Sequence, residues 1–222
     1  MRQRKKKTRI RVLIVDDHPA VREALALKLG VQRDMEVCGE AVDVADALRL
    51  VGDTQPDVAV VDISLKTGNG LDLIKRISDR TDTVRTLVWS THSDTLYAER
   101  CLRAGALGYV NKDQATDKIV EAIRQVLEGK VYLSGEMSAK LLSRVVGGRK
   151  PIEQSSLESL SDRELEVFKL LGEGLTTEKM AGAMRVSPKT VETYRSRIKE
   201  KLGLNNFTEL VQRAARWVAE NS

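Results

Sequence analysis

Residues 57–64 read DVAVVDIS, an unbroken apolar run from Val58 to Val61 that stops at a carboxylate, Asp62. A short apolar run with no polar alternation marks a strand buried on both faces, as in a parallel sheet covered by helices. Three other runs end in the same manner. RVLIV (11–15) stops at Asp16 and Asp17, TLVW (86–89) at Ser90, and ALGYV (106–110) just short of Lys112. In an open parallel sheet, ligands bind in the crevice beyond the carboxyl ends of the strands. Strand ends carrying two acids, a third acid, a hydroxyl and an ammonium therefore predict one shared site, with the character of a phosphate switch.

The flanking sequence supports this reading. Strands are expected near 10–15, 36–41, 57–62, 84–90 and 106–110, each rich in Val, Ile or Leu. Between and after them VREALALKL, VADALRLV, GLDLIKRIS, TLYAERCLRA and DKIVEAIRQVL carry apolar residues at spacings of three and four. Five βα units in succession predict an α/β, five-stranded, doubly wound parallel domain.

The pattern changes after Gly129. SGEMSAKLLSRVV predicts one further helix, and GGRKPIEQSS (147–156) has no apolar period, so residues 131–157 read as a linker containing a helix. Helical segments without strands follow. Ser161 to Glu164 (SDRE) form a capping-box signature ahead of ELEVFKLLGEG, Thr176 or Thr177 can cap EKMAGAM, Ser187 with Pro188 can start KTVETYRSRIKEKLG, and Asn205 or Asn206 can cap the last helix. The expected organisation is a basic tail at 1–9, an α/β domain at 10–130, the linker at 131–157, and an all-α domain at 158–222.

Charge divides along the same lines. Residues 1–11 hold seven Lys or Arg and no acid, residues 12–130 hold 15 bases against 20 acids, and residues 131–222 hold 15 against 12. An acidic middle joined to a basic C-terminal part fits a regulatory module coupled to one that binds a polyanion. The basic tail reads as a solvated extension. With no long apolar run and no signal-peptide pattern, a cytoplasmic location is expected. Cys38 and Cys101, far apart and without a CxxC, read as two buried reduced thiols.

An aspartate can accept a phosphoryl group only when metal charge offsets the repulsion between anions. Mg²⁺ is commonly held by one or two carboxylates, waters and phosphate oxygens, a role Asp16 and Asp17 can fill beside Asp62. Ser90 can donate to one phosphoryl oxygen and Lys112 can pair with another as a point charge. Taken singly, Asp17 could merely cap the next helix and Ser90 could close a turn; jointly, the strand-end placement favours the site.

The second half has its own motif. EKMAGAMRVSPKTVETYRSRIKEKL holds two helix patterns broken at 185–187, the spacing of a helix-turn-helix. On a helical wheel Val191, Tyr194, Ile198 and Leu202 fall on one side, and Lys189, Glu192, Thr193, Ser196 and Glu200 on the other.

These residues carry a family resemblance. DD at 16–17, VVDIS around Asp62, WSTH around Ser90 and GYVNK ending at Lys112 resemble the receiver domain of two-component response regulators. GNGLDLI, AERCLRAGALGYV and LSDRELEVFKLL are similar to its NarL/FixJ branch, whose output is a LuxR-type helix-turn-helix. The resemblance implies a transcription regulator that accepts a phosphoryl group on Asp62 from a sensor histidine kinase, and loses it again, by its own catalysis rather than as a turnover enzyme. It implies Mg²⁺ at Asp16, Asp17 and Asp62, a conformational switch at Ser90 and Tyr109, and a homodimer bound to promoter DNA, with RNA polymerase a further candidate partner. The dimer surface is expected on the receiver or on the last helix around Phe207, Leu210 and Val211.

By the same resemblance Glu192, Thr193 and Ser196 read bases, with Thr190 in the same contact set. Lys179, Lys189, Arg195, Arg197 and Lys199 contact phosphates. Many receivers carry Pro four residues after the phosphoacceptor; here Lys66 stands there, and Gly68 and Gly70 are left to turn the loop. His18 and His92 are set aside as structural or surface residues. The rival readings are a phosphatase or phosphotransferase using Asp62 as nucleophile, for which Ser64 stands where a second acid is usual, and a receiver that works without phosphorylation.

Overall fold

A computed structural model of the chain describes residues 9–65, 69–91, 95–113, 117–146, 157, 159–184 and 186–221. Residues 1–8 of the basic tail, Lys66, Gly68, His92 and nearly all of the 147–157 segment lie outside these. The chain divides at Ser138 into two units.

The first unit alternates β1 (Ile10–Val15), α1 (Pro19–Gly30), β2 (Met35–Ala41), α2 (Val44–Thr54), β3 (Val58–Val61), α3 (Gly70–Arg80), β4 (Arg85–Ser90), α4 (Thr95–Arg103), β5 (Gly108–Asn111) and α5 (Asp117–Leu127). The strands are parallel, in the order β2-β1-β3-β4-β5. This is one of the two common doubly wound arrangements, and its switch point falls between β1 and β3. The helix α6 (Gly135–Val146) follows.

Strand pleating sorts the core into two layers. Val12, Ile14, Val58, Val60, Leu87, Trp89 and Val110 pack with Leu25 and Leu29 of α1 and Ile119, Ile123 and Val126 of α5. The alternate positions Leu13, Val15, Ala59, Val61, Val88 and Tyr109 are also buried, on the side served by α2, α3 and α4. Burial on both faces is why these strands read as continuous apolar runs. The outer edge of β5 is closed by Tyr132, whose carbonyl accepts from the Tyr109 N–H at 2.9 Å and whose own N–H donates to Leu107 at 2.9 Å.

Helix starts follow local chemistry. Asp43 accepts from the Asp46 N–H ahead of α2, and Asn69 accepts from the Leu71 N–H ahead of α3. Before α1 the cap position belongs to His18, with no side-chain capping bond, so Asp17 is not a helix cap. Gly70 answers to contact rather than to turning freedom: a Cβ there would lie 2.2 Å from the Asp62 carbonyl oxygen and 2.7 Å from the Ile63 Cα. Only glycine lets α3 begin this close to the end of β3. Cys101 is buried as expected, whereas Cys38 is only partly covered because β2 lies at the sheet edge.

The second unit holds α7 (Asp162–Gly172), α8 (Thr177–Met184), α9 (Pro188–Leu202) and α10 (Phe207–Asn221). Both halves of the predicted capping box form, with the Ser161 N–H donating to Glu164 at 2.7 Å. Thr176 and Asn206 accept from the Lys179 and Glu209 N–H groups at the starts of α8 and α10. Gly203, in the left-handed region at φ 64°, closes α9. The core gathers Leu165, Phe168, Leu171, Met180, Val191, Ile198, Leu202, Leu210 and Trp217, with the Phe168 and Trp217 rings 5.9 Å apart. Leu210 belongs to this core and offers no surface for pairing, which corrects the dimer-face expectation at that residue. No described helix is long and apolar enough to cross a membrane.

Glu164 ties α7 to α9. It is buried and accepts from Lys201 Nζ at 2.6 Å. Burial pushes its carboxyl up, but Lys201 and Ser161 together hold it below the usual glutamate range. A depressed carboxylate stabilises the fold above its unfolded-state pKa and loses that contribution as pH falls through the folded value. Lys201→Met is expected to destabilise this unit by about 1–3 kcal/mol at neutral pH. The gap from the parent should close on acidification as Glu164 protonates, as read by denaturant unfolding followed through Trp217.

Candidate functional site

Every residue of the predicted constellation stands at the carboxyl edge of the sheet, held there by the strand ladder itself. Asp16 directly follows β1 and Asp62 directly follows β3, across the switch point. The Asp62 N–H donates to Val15 at 2.8 Å, so Asp62 is pinned beside the end of β1. The Asp16 N–H donates to Ala41 at 3.1 Å, and the Lys112 N–H to Ser90 at 2.8 Å. These backbone bonds carry the register past the last strand residues and bring side chains remote in sequence together.

Lys112 Nζ donates to Asp16 Oδ2 at 2.6 Å and to Asp62 Oδ2 at 2.7 Å, bridging residues 96 and 50 positions away. Asp16, Asp17 and Asp62 are 1%, 4% and 4% exposed. Three carboxylates share this pocket with one ammonium, an excess of negative charge that a dication would offset. Burial raises the Asp62 carboxyl above its ordinary range; Lys112 opposes that shift and Asp16 adds to it. Ligand atoms of Asp16, Asp17, His18 and Asp62 all lie within 4.8 Å of one another. The hard oxygens of this set suit Mg²⁺.

His18 was set aside on sequence, and here the structure differs. Its Nδ1 lies 2.9 Å from Asp17 and 3.3 Å from Asp16, while most of the ring remains exposed. The position directly after the acid pair was the signal available. Arg22 was also passed over: its guanidinium donates to the Asp16 carbonyl at 2.8 Å and lies 3.5 Å from Glu40, bracing the turn after β1. Nothing in the α1 sequence distinguishes it from a surface cation.

Ser90 is fully buried at the end of β4, and Tyr109 is 2% exposed on the edge strand β5. Val88 is the register partner of Tyr109, so Ser90, two residues beyond Val88, shares a sheet face with the ring. Lys112 also lies 5.6 Å from the centroid of the Trp89 ring.

In the second unit the wheel is realised. Val191, Ile198 and Leu202 are buried, with Tyr194 partly covered, and Lys189, Glu192, Thr193, Ser196, Arg197 and Glu200 are exposed along α9. Lys179 on α8 is exposed and Lys199 partly so. Thr190 is occupied at the start of α9, its N–H and hydroxyl both bonded to Ser187. Arg195, expected as a phosphate contact, instead turns into the unit: Nη1 donates to Thr177 at 2.9 Å and pairs with Glu192, and the guanidinium covers the Phe207 ring.

Comparison with known proteins agrees with both halves. Residues 12–124 match the response regulator receiver domain, and residues 158–214 match the bacterial regulatory proteins of the luxR family. The chain is 35% identical over 200 residues to the DNA-binding transcriptional activator DevR/DosR of Mycobacterium tuberculosis, covering 90% of this chain and 91% of that one. It is 32% identical to the oxygen regulatory protein NreC of Staphylococcus epidermidis over 92% and 96% of the two chains. Among solved structures, RcsB of Salmonella enterica bound to promoter DNA in the presence of phosphomimetic BeF3⁻ matches in fold with a TM-score of 0.63 at 24% identity, over 94% of this chain and 100% of that one.

Trp89 beneath Lys112 provides a reporter for the acid pocket. A divalent cation that competes with Lys112 for Asp16 and Asp62 should change Trp89 emission saturably in a Trp217→Phe background. Asp16→Asn with Asp17→Asn should remove the saturable change on titration with MgCl₂.

Proposed function

The chain belongs to the two-component response regulators that join a receiver domain to a LuxR-type DNA-binding domain, and from that premise we propose that Asp62 is the phosphoacceptor through which a sensor histidine kinase controls binding to promoter DNA. The observation that carries this is the double hydrogen bond from Lys112 to Asp16 and Asp62 in a buried pocket at the switch point of the sheet. A structural lysine has no need of three converging carboxylates.

In the proposed reaction an Asp62 carboxylate oxygen attacks phosphorus, the bond from phosphorus to the kinase imidazole breaks, and an acyl phosphate forms on Asp62. Asp16, Asp17 and Asp62 would hold Mg²⁺, which would supply the positive charge that lets two anions meet. Lys112 is placed to leave its carboxylate partner for a phosphoryl oxygen. Ser90 offers a hydroxyl to another oxygen, and the space it vacates on that sheet face favours a different Tyr109 rotamer. Added charge of about −1.5 to −2 can bias such a two-state element when the gap is a few kcal/mol. Loss of the phosphoryl group to water resets the switch on the same residues, with no other turnover.

The output rests on α9, whose exposed face carries Glu192, Thr193 and Ser196 for base edges and Lys189, Arg197 and Lys199, with Lys179 of α8, for phosphates. A homodimer places two such helices about one helical turn apart on the DNA. The receiver module extends over 10–130 and the output module over 158–222, joined by 131–157.

Intact mass measured after incubation with Mg²⁺ and acetyl phosphate tests the central step. One phosphoryl adduct is expected on the parent chain and none on Asp62→Asn. An unmodified parent under every phosphodonor would remove phosphorylation from this reading and favour control by another ligand.

A further inference from the structure

Arg195 joins three helices at one end of the output unit. It projects from α9, donates through Nη1 to the hydroxyl of Thr177, the first residue of α8, and pairs with Glu192 one turn earlier on its own helix. Its Cζ sits 3.7 Å from the ring centroid of Phe207, the first residue of α10. The side chain is only 15% exposed and its Nε is buried without a hydrogen-bond partner. That is a poor arrangement for reaching a phosphate. It is a good one for holding Glu192.

From this geometry we infer that Arg195 is a positioning residue for base recognition: backed by Phe207, it fixes the carboxylate of Glu192 on the exposed face of α9 and so sets base preference. The inference rests on the reading of Glu192 as a base contact given under the proposed function. Arg195 Nη1 and the Thr177 hydroxyl, the latter at 3.2 Å, both donate to Glu192 Oε1. Oε2 has no hydrogen bond among the described residues, and the Glu192 side chain is 54% exposed. One oxygen is anchored and the other is open.

The physical reasons are entropic and electrostatic. An exposed ion pair one helical turn apart ordinarily gains little, because both long side chains must be held in one geometry. Here stacking on Phe207 and donation to Thr177 already immobilise the guanidinium, so little further freedom is lost when Glu192 meets it. The carboxylate is thereby organised before DNA arrives, which reduces the ordering cost at the interface. Arg195 also balances the negative charge of Glu192, which would otherwise be repelled by the phosphates flanking a groove. A carboxylate acceptor matches a base-edge donor such as the cytosine amino group and rejects edges presenting only acceptors. The open Oε2 is the atom placed for that contact.

The test uses the full chain and a randomised duplex pool selected by binding and sequenced, together with the salt dependence of affinity for one nonspecific duplex. Glu192→Gln, Arg195→Met and Phe207→Leu are compared with the parent, and thermal melting establishes which variants fold. Glu192→Gln and Arg195→Met are expected to relax preference at the same base pair, by about tenfold, while the salt slope of Arg195→Met stays at the parent value. Phe207→Leu keeps the guanidinium but removes its platform, and should relax that same base pair; it carries the test if Arg195→Met does not fold. An Arg195→Met variant that keeps the parent preference and loses about one unit of salt slope would make Arg195 a phosphate contact and overturn the inference. A Glu192→Gln variant that keeps the parent preference would instead overturn the base-reading role of Glu192 itself.

Discussion

Lys112 bridging Asp16 and Asp62 is the interaction on which the rest of the receiver depends. Burial holds the Asp62 carboxyl above its ordinary range, and the neighbouring Asp16 carboxylate adds to that shift. One ammonium meets both of them. The sheet makes the meeting possible, because parallel strands in the order β2-β1-β3-β4-β5 deliver their carboxyl ends to one edge. The cost of assembling this charge is accepted by a fold whose central strand β3 is apolar and buried on both faces. Such a cluster is poised to change state when its charge changes, which is what a switch requires.

The output unit solves a related problem at its surface. A buried polar tie, Glu164 with Lys201 and Ser161, joins α7 to α9, and α9 also presents an exposed face. That face nevertheless carries acids, Glu192 and Glu200, which oppose association with a polyanion. For Glu192 the structure pairs the acid with Arg195, and Arg195 in turn with Thr177 and Phe207. In the proposed reading, electrostatic attraction and base reading fall to different residues of one short helix, as they do in DNA-binding proteins generally.

Much of this was legible in the residue order. Runs such as VAVV and RVLIV read as doubly covered parallel strands, and the acids, hydroxyl and lysine closing them were visible as strand-end residues. The capping box at Ser161 and Glu164 and the turn opened by Ser187 and Pro188 rest on local hydrogen bonds and were equally visible. The contacts of His18, Arg22 and Arg195 were not legible, for a common reason. Their roles depend on partners brought near by the fold, and an arginine at a helix surface position has the same pattern whether it faces solvent or another helix. Leu210 was offered as a pairing surface although it is buried in the core of the second unit, because helical spacing alone does not say which side of an amphipathic helix is already occupied.

Taken by itself, then, the chain determined its strands, helices, caps and the chemical kinds of residue at each strand end, because these depend on neighbours within a few positions and on hydrophobic period. Tertiary structure alone decided that Lys112 bonds Asp16 and Asp62 together, that Gly70 must lie against the Asp62 carbonyl, and that Arg195 pairs with Glu192. Those are distances between atoms far apart in sequence or set by side-chain direction, and only packing fixes them.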